Sequence, residues 1–260
     1  MTFPTIPTTG ANTLLSSTTS PASTTHTFPN LTTLAPGAGD LIIACCVQYQ
    51  GGTANAEFGT WGASLIEFLD DALGSGTGNG ANGFAYKIAT GSESGTFTVT
   101  SAHSFKSVNF LMRIPAATWH GTTPPERTAS ARAAGAAGDP DSLSPSWGAD
   151  DTLWIAVGGQ TETSTTGSPP TLTASPTNYS GDLIVARVAD AVGDITAGVG
   201  FRQLNAASED VGTWTGSNLN RGNGIASVIA VRPVLPPPLN PNFQETKTII
   251  TVPMFRGSFY

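Results

Sequence analysis

The chain contains very little sequence that could form a helix, and this constrains its fold more than any other feature. About a quarter of its 260 residues are Ser or Thr, and 30 Gly and 19 Pro add to them. Ser and Thr hydroxyls compete with the backbone for helical hydrogen bonds, Gly raises the entropic cost of a helix, and Pro clashes with the preceding turn. We therefore expect strands that are joined by many turns.

The apolar residues occur in short segments with the spacing of β-strands. Leu41–Val47 and Thr152–Val157 are apolar on both faces, as central strands covered on both sides would be. Apolar and polar residues alternate in several further segments, which indicates half-buried antiparallel strands. These segments are 84–88, 97–99, 108–114, 183–189, 195–203 and 225–232.

This series of short strands and turns predicts an all-β fold, a two-sheet antiparallel β-sandwich. Because the loops are long and variable, we expect the connectivity of a jelly roll rather than that of a meander barrel. Only Thr128–Ala137 has a helical composition, but Gly135 interrupts it and no apolar stripe with helical spacing develops. An edge strand and a loop are equally compatible with this segment.

One local pattern, an acidic turn residue followed by an apolar strand, occurs three times. The three copies are Gly39–Ala44, Asp151–Ala156 and Gly181–Ala186. Their spacings are unequal, whereas a solenoid would show a fixed period. We interpret the pattern as recurring turn chemistry.

Composition divides the chain into three regions. Residues 1–38 form a Thr/Ser/Pro-rich N-terminal approach with a first strand at 23–28, residues 39–232 form the β-sandwich domain, and residues 233–260 form a Pro-rich linker and C-terminal arm. The prolines of 233–241 predict an extended polyproline segment of about 3 Å per residue, which would carry the arm away from the core.

The arm contains an apolar strand, 246–252, that has no hairpin partner in the sequence. A lone apolar strand needs the edge of a sheet to complete, and that edge belongs either to a neighbouring subunit or to the chain's own sandwich. The sequence leaves both alternatives open. The candidate interaction residues of the arm are Thr248, Ile249, Ile250, Val252, Phe255, Phe259 and Tyr260.

The charge of the chain argues against two classes of partner. Its formal net charge is −7, from 18 acidic and 11 basic residues. This charge repels phosphate backbones and anionic membranes, so we expect neither nucleic acid nor a membrane as a partner.

The N-terminus lacks the basic and apolar regions of a signal peptide, and the longest strongly apolar run, Leu41–Val47, is too short to span a bilayer. We therefore expect synthesis in a cytoplasm.

No segment has the pattern of a catalytic or cofactor site. Gly78–Gly83 matches the dinucleotide-binding pattern, but a strand follows it where a helix N-terminus would have to hold the pyrophosphate. Acidic pairs occur at 70–71, 150–151 and 209–210, and adjacent acids seldom face each other across a cleft as those of a glycosidase do. We expect neither an enzyme nor a cofactor.

The histidines and cysteines do not suggest a metal site. His26, His103 and His120 lack the spacing of metal ligands, and we interpret them as surface or interface residues. The adjacent Cys45 and Cys46 point to opposite faces of a strand, so they cannot easily bond to each other. The apolar neighbours of Cys45 indicate a structural core thiol rather than a nucleophile.

Two tryptophans support an alternative function, a carbohydrate-binding module that recognises host-surface glycans. Trp119 and Trp214 lie near loops, where an exposed indole could stack on a sugar ring. Trp154 lies within an apolar strand and is expected in the core. For Trp119 and Trp214, packing under loops is the favoured interpretation over exposure.

Four strings of the sequence are more distinctive: 86–93, 144–157, 202–210 and 230–233. With them the region from Ser23 to Pro233 resembles a family of phage and prophage virion proteins, which are β-sandwich components of tails, fibres and head accessories. The arm lies outside this resemblance. The family carries no established catalytic set, so no site residue can be transferred.

The resemblance implies a structural protein of a tailed-phage virion, as a head-decoration, head-fibre or tail-associated subunit. Its location would be the virion, and its partners would be other capsid, tail or fibre subunits. A homo-oligomer is expected, and phage appendages favour a trimer by analogy. The low content of charged residues, 11%, suits a surface that contacts other protein subunits.

Overall fold

Alternating apolar side chains on long strands build two antiparallel sheets that pack face to face. The computed structural model describes residues 2–6, 13–50, 58–73, 79–162, 170–187, 194–219 and 222–235. Both large sheets have six strands, and the only helix in these ranges is one turn, α1 at Leu31–Leu34. The predicted all-β sandwich is confirmed.

The first sheet contains the strands of the N-terminal half. Its strand order is β1-β6-β2-β5-β4, and β3 also pairs with β6. The strands are β1 at Leu14–Thr27, β2 at Leu41–Gln50, β3 at Phe58–Trp61, β4 at Ile66–Leu73, β5 at Asn79–Ile88 and β6 at Thr98–Ile114.

The second sheet and a small ribbon contain the strands of the C-terminal half. The strands are β7 at Glu126–Arg127, β8 at Ala131–Ala134, β9 at Asp150–Thr161, β10 at Thr171–Ala174, β11 at Ser180–Arg187, β12 at Ile195–Ala206, β13 at Thr215–Ser217 and β14 at Asn223–Val231. The sheet order is β11-β12-β9-β14-β7 with β8 also on β14, and β10 pairs with β13 in the ribbon. The segment 128–137 therefore contributes an edge strand.

The two sheets repeat one arrangement of strands. When the second order is reversed, β7/β8, β14, β9, β12 and β11 take the places of β1, β6, β2, β5 and β4, and the order along the chain is the same in both halves. A jelly roll passes successive strands between its two sheets, whereas here each half of the chain builds its own sheet. The expected jelly-roll connectivity is therefore wrong, although the sandwich is correct.

The repeat explains two of the three copies of the acidic pattern. Gly39–Ala44 leads into β2 and Asp151–Ala156 lies in β9, and these are the corresponding central strands. An ion pair also joins each of the equivalent strands β5 and β12 to the segment that follows it: Lys87 Nζ lies 3.2 Å from Glu93 Oε1, and Arg202 Nη1 lies 2.6 Å from Glu209 Oε1.

Apolar side chains fill three layers, because the central strands are apolar on both faces. Ile43 and Cys45 of β2 face the layer between the sheets, while Ile42 and Cys46 face an outer layer that is closed by α1, β3 and aromatic residues. The second sheet has its own outer layer around Trp154. This confirms burial of β2 and β9 on both faces.

One end of the sandwich, which we call the Asp40 end, is where the two sheets are tied together. Here β2 begins, β6 ends opposite it at Ile114, and β14 ends at Val231. The Trp119 backbone forms a bridge with Pro233, and its indole nitrogen donates to the Gly39 carbonyl at 3.0 Å. The segment that follows β6, the last strand of the first sheet, thus contacts the segment that follows β14, the last strand of the second sheet.

Candidate interaction edge

The carboxylate of Asp40 joins three parts of the chain at the Asp40 end. Its Oδ2 accepts from Gly37 N at 2.7 Å and from Arg113 Nε at 2.6 Å, and its Oδ1 accepts from Ala116 N at 2.8 Å. The residue is only 4% exposed. A buried carboxylate whose oxygens are all engaged by the fold has a structural role.

Each acidic pair also contributes a carboxylate that accepts hydrogen bonds within the fold. Glu209 accepts from Arg202 and lies 3.4 Å from the Tyr179 hydroxyl, and burial together with this carboxylate raises the pKa of Tyr179. Asp71 accepts from Ser130 N at 2.6 Å, and Asp151 accepts from Asn205 Nδ2 at 2.8 Å. Within the described ranges, no three His, Cys, Asp or Glu side chains are grouped as metal ligands would be.

His26 is buried, and its interpretation as a surface or interface residue is wrong. Its Nδ1 lies 2.9 Å from Ser107 Oγ and its Nε2 lies 2.9 Å from Ser101 Oγ. The reason is that the second part of β1 continues along β6, past a change of register after Thr19, and carries the ring onto the sheet. His103 is exposed and His120 is half-buried.

We expect acid to destabilise the fold through His26. Burial lowers the pKa of His26 from 6.5 to about 4. The unfolded chain therefore binds more protons than the folded chain between these values, so stability should fall as the pH falls from about 6.5 to 4, by up to about 3 kcal/mol. Urea unfolding at a series of pH values measures this loss.

The matched variants for this test are His26→Gln and His103→Gln. The first should lose the part of the acid dependence that arises between pH 6.5 and 4, and the second should keep it because His103 is exposed. An identical pH profile for wild type and His26→Gln would contradict the assignment.

Both cysteines are core thiols, as the sequence predicts for Cys45. They are free and fully buried, on opposite faces of β2. Burial raises the pKa of Cys46 to about 12, and it raises the pKa of Cys45 as well. Neither sulfur has the thiolate character that a nucleophile needs.

The two tryptophans considered for glycan contact are not at the surface. Trp119 is 1% exposed in the layer between the sheets, and Trp214 is 3% exposed in the outer layer of the second sheet. Trp214 covers Gly158 and Gly198, where a Cβ atom would collide with its ring. Both indoles are thus packed in the core, as the favoured interpretation of packing under loops predicts, and the glycan-binding alternative loses the residues on which it was based.

The edges of the sheets differ in how they are covered. On one side of the sandwich, the edge strand β4 is bridged to the second sheet: Arg127 Nε donates to the Phe68 carbonyl at 2.9 Å, and Ser130 N donates to Asp71. These bonds use a backbone oxygen and a carboxylate of β4. An incoming strand would have to displace them.

The opposite edge of the first sheet is β1, and it is long and uncharged. The strand has 14 residues, and no Asp, Glu, Lys or Arg precedes Asp40 in the sequence. No described strand lies beyond β1 in this sheet. Edge strands usually carry charges, Pro or bulges that prevent pairing with other chains, so the uncharged stretch 14–19, which lies before Pro21 and the register shift after Thr19, is suited to accept a strand.

The register of β1 shows which backbone groups are available. Arg113 N donates to the Thr13 carbonyl at 2.9 Å, and the same register continues to the pair of Thr19 with Ser107. Because hydrogen-bonded and non-hydrogen-bonded pairs alternate in an antiparallel ladder, residues 13, 15, 17 and 19 bond to β6. The N–H and C=O groups of Leu14, Ser16 and Thr18 therefore point away from the sheet.

Sequence reasoning missed most of this edge, since it placed the first strand at 23–28. The absence of charge across the first 39 residues was the available signal. The candidate arm residues from Thr248 to Tyr260 lie outside the described residues. The described chain ends at Leu235, where Val234 N donates to the Thr118 carbonyl at 3.3 Å, at the Asp40 end of the sandwich.

Comparison of the chain with protein-family models, curated proteins and solved structures gives no match. In the described ranges, no helix is long and apolar enough to cross a membrane.

Proposed function

We propose that this protein is a structural subunit of a tailed-phage virion, as a head-decoration, head-fibre or tail-associated component. The observation that carries the proposal is the edge of β1, which has no Asp, Glu, Lys or Arg and beyond which no strand of the described residues pairs. Such an edge is suited to assembly by strand addition.

Two features of the sequence support the same proposal. The strings at 86–93, 144–157, 202–210 and 230–233 resemble phage virion β-sandwich proteins, and only 11% of the residues are charged. A surface with few charges loses little solvation energy when it is covered by other subunits. The partners are other capsid, tail or fibre subunits and further copies of this chain, with a trimer as the expected oligomer.

The C-terminal arm is the proposed attachment element. Deleting residues 236–260 should lower incorporation into particles at least tenfold, because the strand that completes a partner sheet is lost. Every strand of both sheets lies before residue 232, so the deletion should leave the sandwich folded. Quantitative mass spectrometry of gradient-purified particles measures incorporation relative to the major capsid protein.

The matched control is Thr251→Ser, which keeps the arm and its polarity. It should be incorporated like the wild type, and thermal unfolding of the isolated deletion variant should stay within a few degrees of the wild-type midpoint. Normal incorporation of the deletion variant would contradict attachment through the arm.

A further inference from the structure

We propose that the acceptor of the C-terminal arm is the β1 edge of a second copy of this chain. The arm segment 246–252 would add as a strand beyond residues 14–19, so that each copy donates one strand and accepts another. The role of this pairing in a virion rests on the proposed function. The pairing itself is a property of the isolated protein, so it can be tested without virus particles.

The other edges are less suitable acceptors. The edge of β4 contains Glu67, Asp70 and Asp71 and is bridged by Arg127 and Ser130. The strands β7 and β8 have only two and four residues. The sequence of β11 includes Asp182 and Arg187, whereas β1 contains no Asp, Glu, Lys or Arg. Charged residues on an edge oppose the addition of a strand.

The lengths of the donor and the acceptor match. Residues 14–19 of β1 keep one register with β6 before the irregularity at Thr19, and at about 3.3 Å per residue they span about 20 Å. The seven residues 246–252 would span about 23 Å on the same scale. The outward groups of Leu14, Ser16 and Thr18 offer three N–H donors and three carbonyl acceptors to such a strand.

The side-chain pattern of the donor also fits this edge. In a strand, Ile250 and Val252 lie on one face and Ile249 lies on the other. Leu14 packs against the layer between the sheets, and Leu15 packs against the outer layer of the first sheet. Both of these apolar layers end at β1, and a strand with apolar residues on both faces would extend them.

The linker favours a second copy over the chain's own edge. The chain passes Val231 at the Asp40 end, where residues 232–234 pair with the segment 118–120, and its described part ends at Leu235. Pro236, Pro237 and Pro238 follow directly, and consecutive prolines favour a stiff extended segment that does not reverse its direction within a few residues. The ten residues 236–245 can extend about 30 Å in that conformation, which is enough to reach a neighbouring molecule.

Mixing of two full-length variants tests the pairing. The edge variant, Ser16→Pro with Thr18→Pro, removes two outward N–H groups and none of the bonds between β1 and β6. The arm variant, Thr248→Pro with Ile250→Pro, disrupts the donor strand. Sedimentation velocity over a range of concentrations should show that each variant alone associates at least tenfold more weakly than the wild type.

An equimolar mixture of the two variants should form a 1:1 pair and nothing larger, because the edge variant keeps a normal arm and the arm variant keeps a normal edge. If the mixture stays monomeric while the wild type associates, the arm does not pair with β1 of a second copy and the proposal is overturned. A wild type that is monomeric at all concentrations, or an edge variant that associates like the wild type, overturns it too.

A second pair of variants covers the case in which the prolines unfold β1. Thr18→Lys places a charge on the acceptor stretch, and Thr24→Lys places the same charge on an exposed position of β1 beyond that stretch. Association should weaken with Thr18→Lys only, and equal effects of the two would overturn the assignment. If association is independent of β1 while incorporation into particles still needs the arm, the acceptor is wrong but the proposed function stands.

Discussion

Replacing Asp40 with Ala is expected to lower the free energy of unfolding by about 3 kcal/mol, since two backbone N–H donors lose their acceptor and Arg113, whose side chain is 27% exposed, loses its ion-pair partner. The carboxylate is buried and accepts from Arg113 and from the backbone N–H groups of Gly37 and Ala116. All three donors would lose their acceptor at the end where β2 begins and β6 ends. Urea unfolding followed by tryptophan fluorescence measures the loss.

Two further variants make this result specific. Asp40→Asn should lose much of the same stability, because its amide nitrogen cannot accept a hydrogen bond and the charge opposite Arg113 is gone. Asp141→Ala, at an exposed acid, should change the free energy of unfolding by less than about 0.5 kcal/mol. A loss below 1 kcal/mol for Asp40→Ala would contradict the structural role of this carboxylate.

Replacing Trp119 with Ala should have a similarly large effect, about 3–5 kcal/mol, as expected for removal of a buried Trp side chain. The indole lies between the sheets, and its nitrogen donates to the Gly39 carbonyl. Its backbone also bridges to Pro233, so the cavity would lie where the two halves of the chain meet. A thermal midpoint lowered by about 10 °C is the expected result.

The comparison with Trp147→Ala separates burial from the loss of an indole as such. Trp147 is half-buried, and its nitrogen donates to Thr152 Oγ1 at 3.0 Å. Its removal should therefore cost less stability than removal of Trp119. If Trp119→Ala were as stable as the wild type and lost affinity for a glycan, the indole would have to be accessible, and the burial described for it would be contradicted.

The class of fold could be predicted from the sequence because the central strands are apolar on both faces. The segments Leu41–Val47 and Thr152–Val157 became β2 and β9, each at the centre of a sheet. The connectivity could not be predicted, because an alternating pattern shows which face of a strand is buried but not which strand lies beside it. In the sequence, the repeated strand order is visible mainly in the acidic turns and the ion pairs, and these involve only a few residues.

The edge of the first sheet was missed for a related reason. Residues 14–22 of β1 are mostly Ser and Thr, and pairing with β6 rather than apolar content fixes them as a strand. Packing of Trp214 was the favoured interpretation, but the sequence did not show what it packs against: two glycines in β9 and β12, Gly158 and Gly198, leave room for its ring. His26 was misjudged because its burial depends on contacts with Ser101 and Ser107 of β6, which are distant in sequence.

The most direct test of a structural role in the virion is the protein composition of purified particles from the phage, or induced prophage, that encodes this chain. Quantitative mass spectrometry should find the chain in intact particles at a fixed ratio to the major capsid protein, and the ratio should survive repeated gradient purification. Absence of the chain from such particles, in cells that contain it in soluble form, would contradict the proposed function.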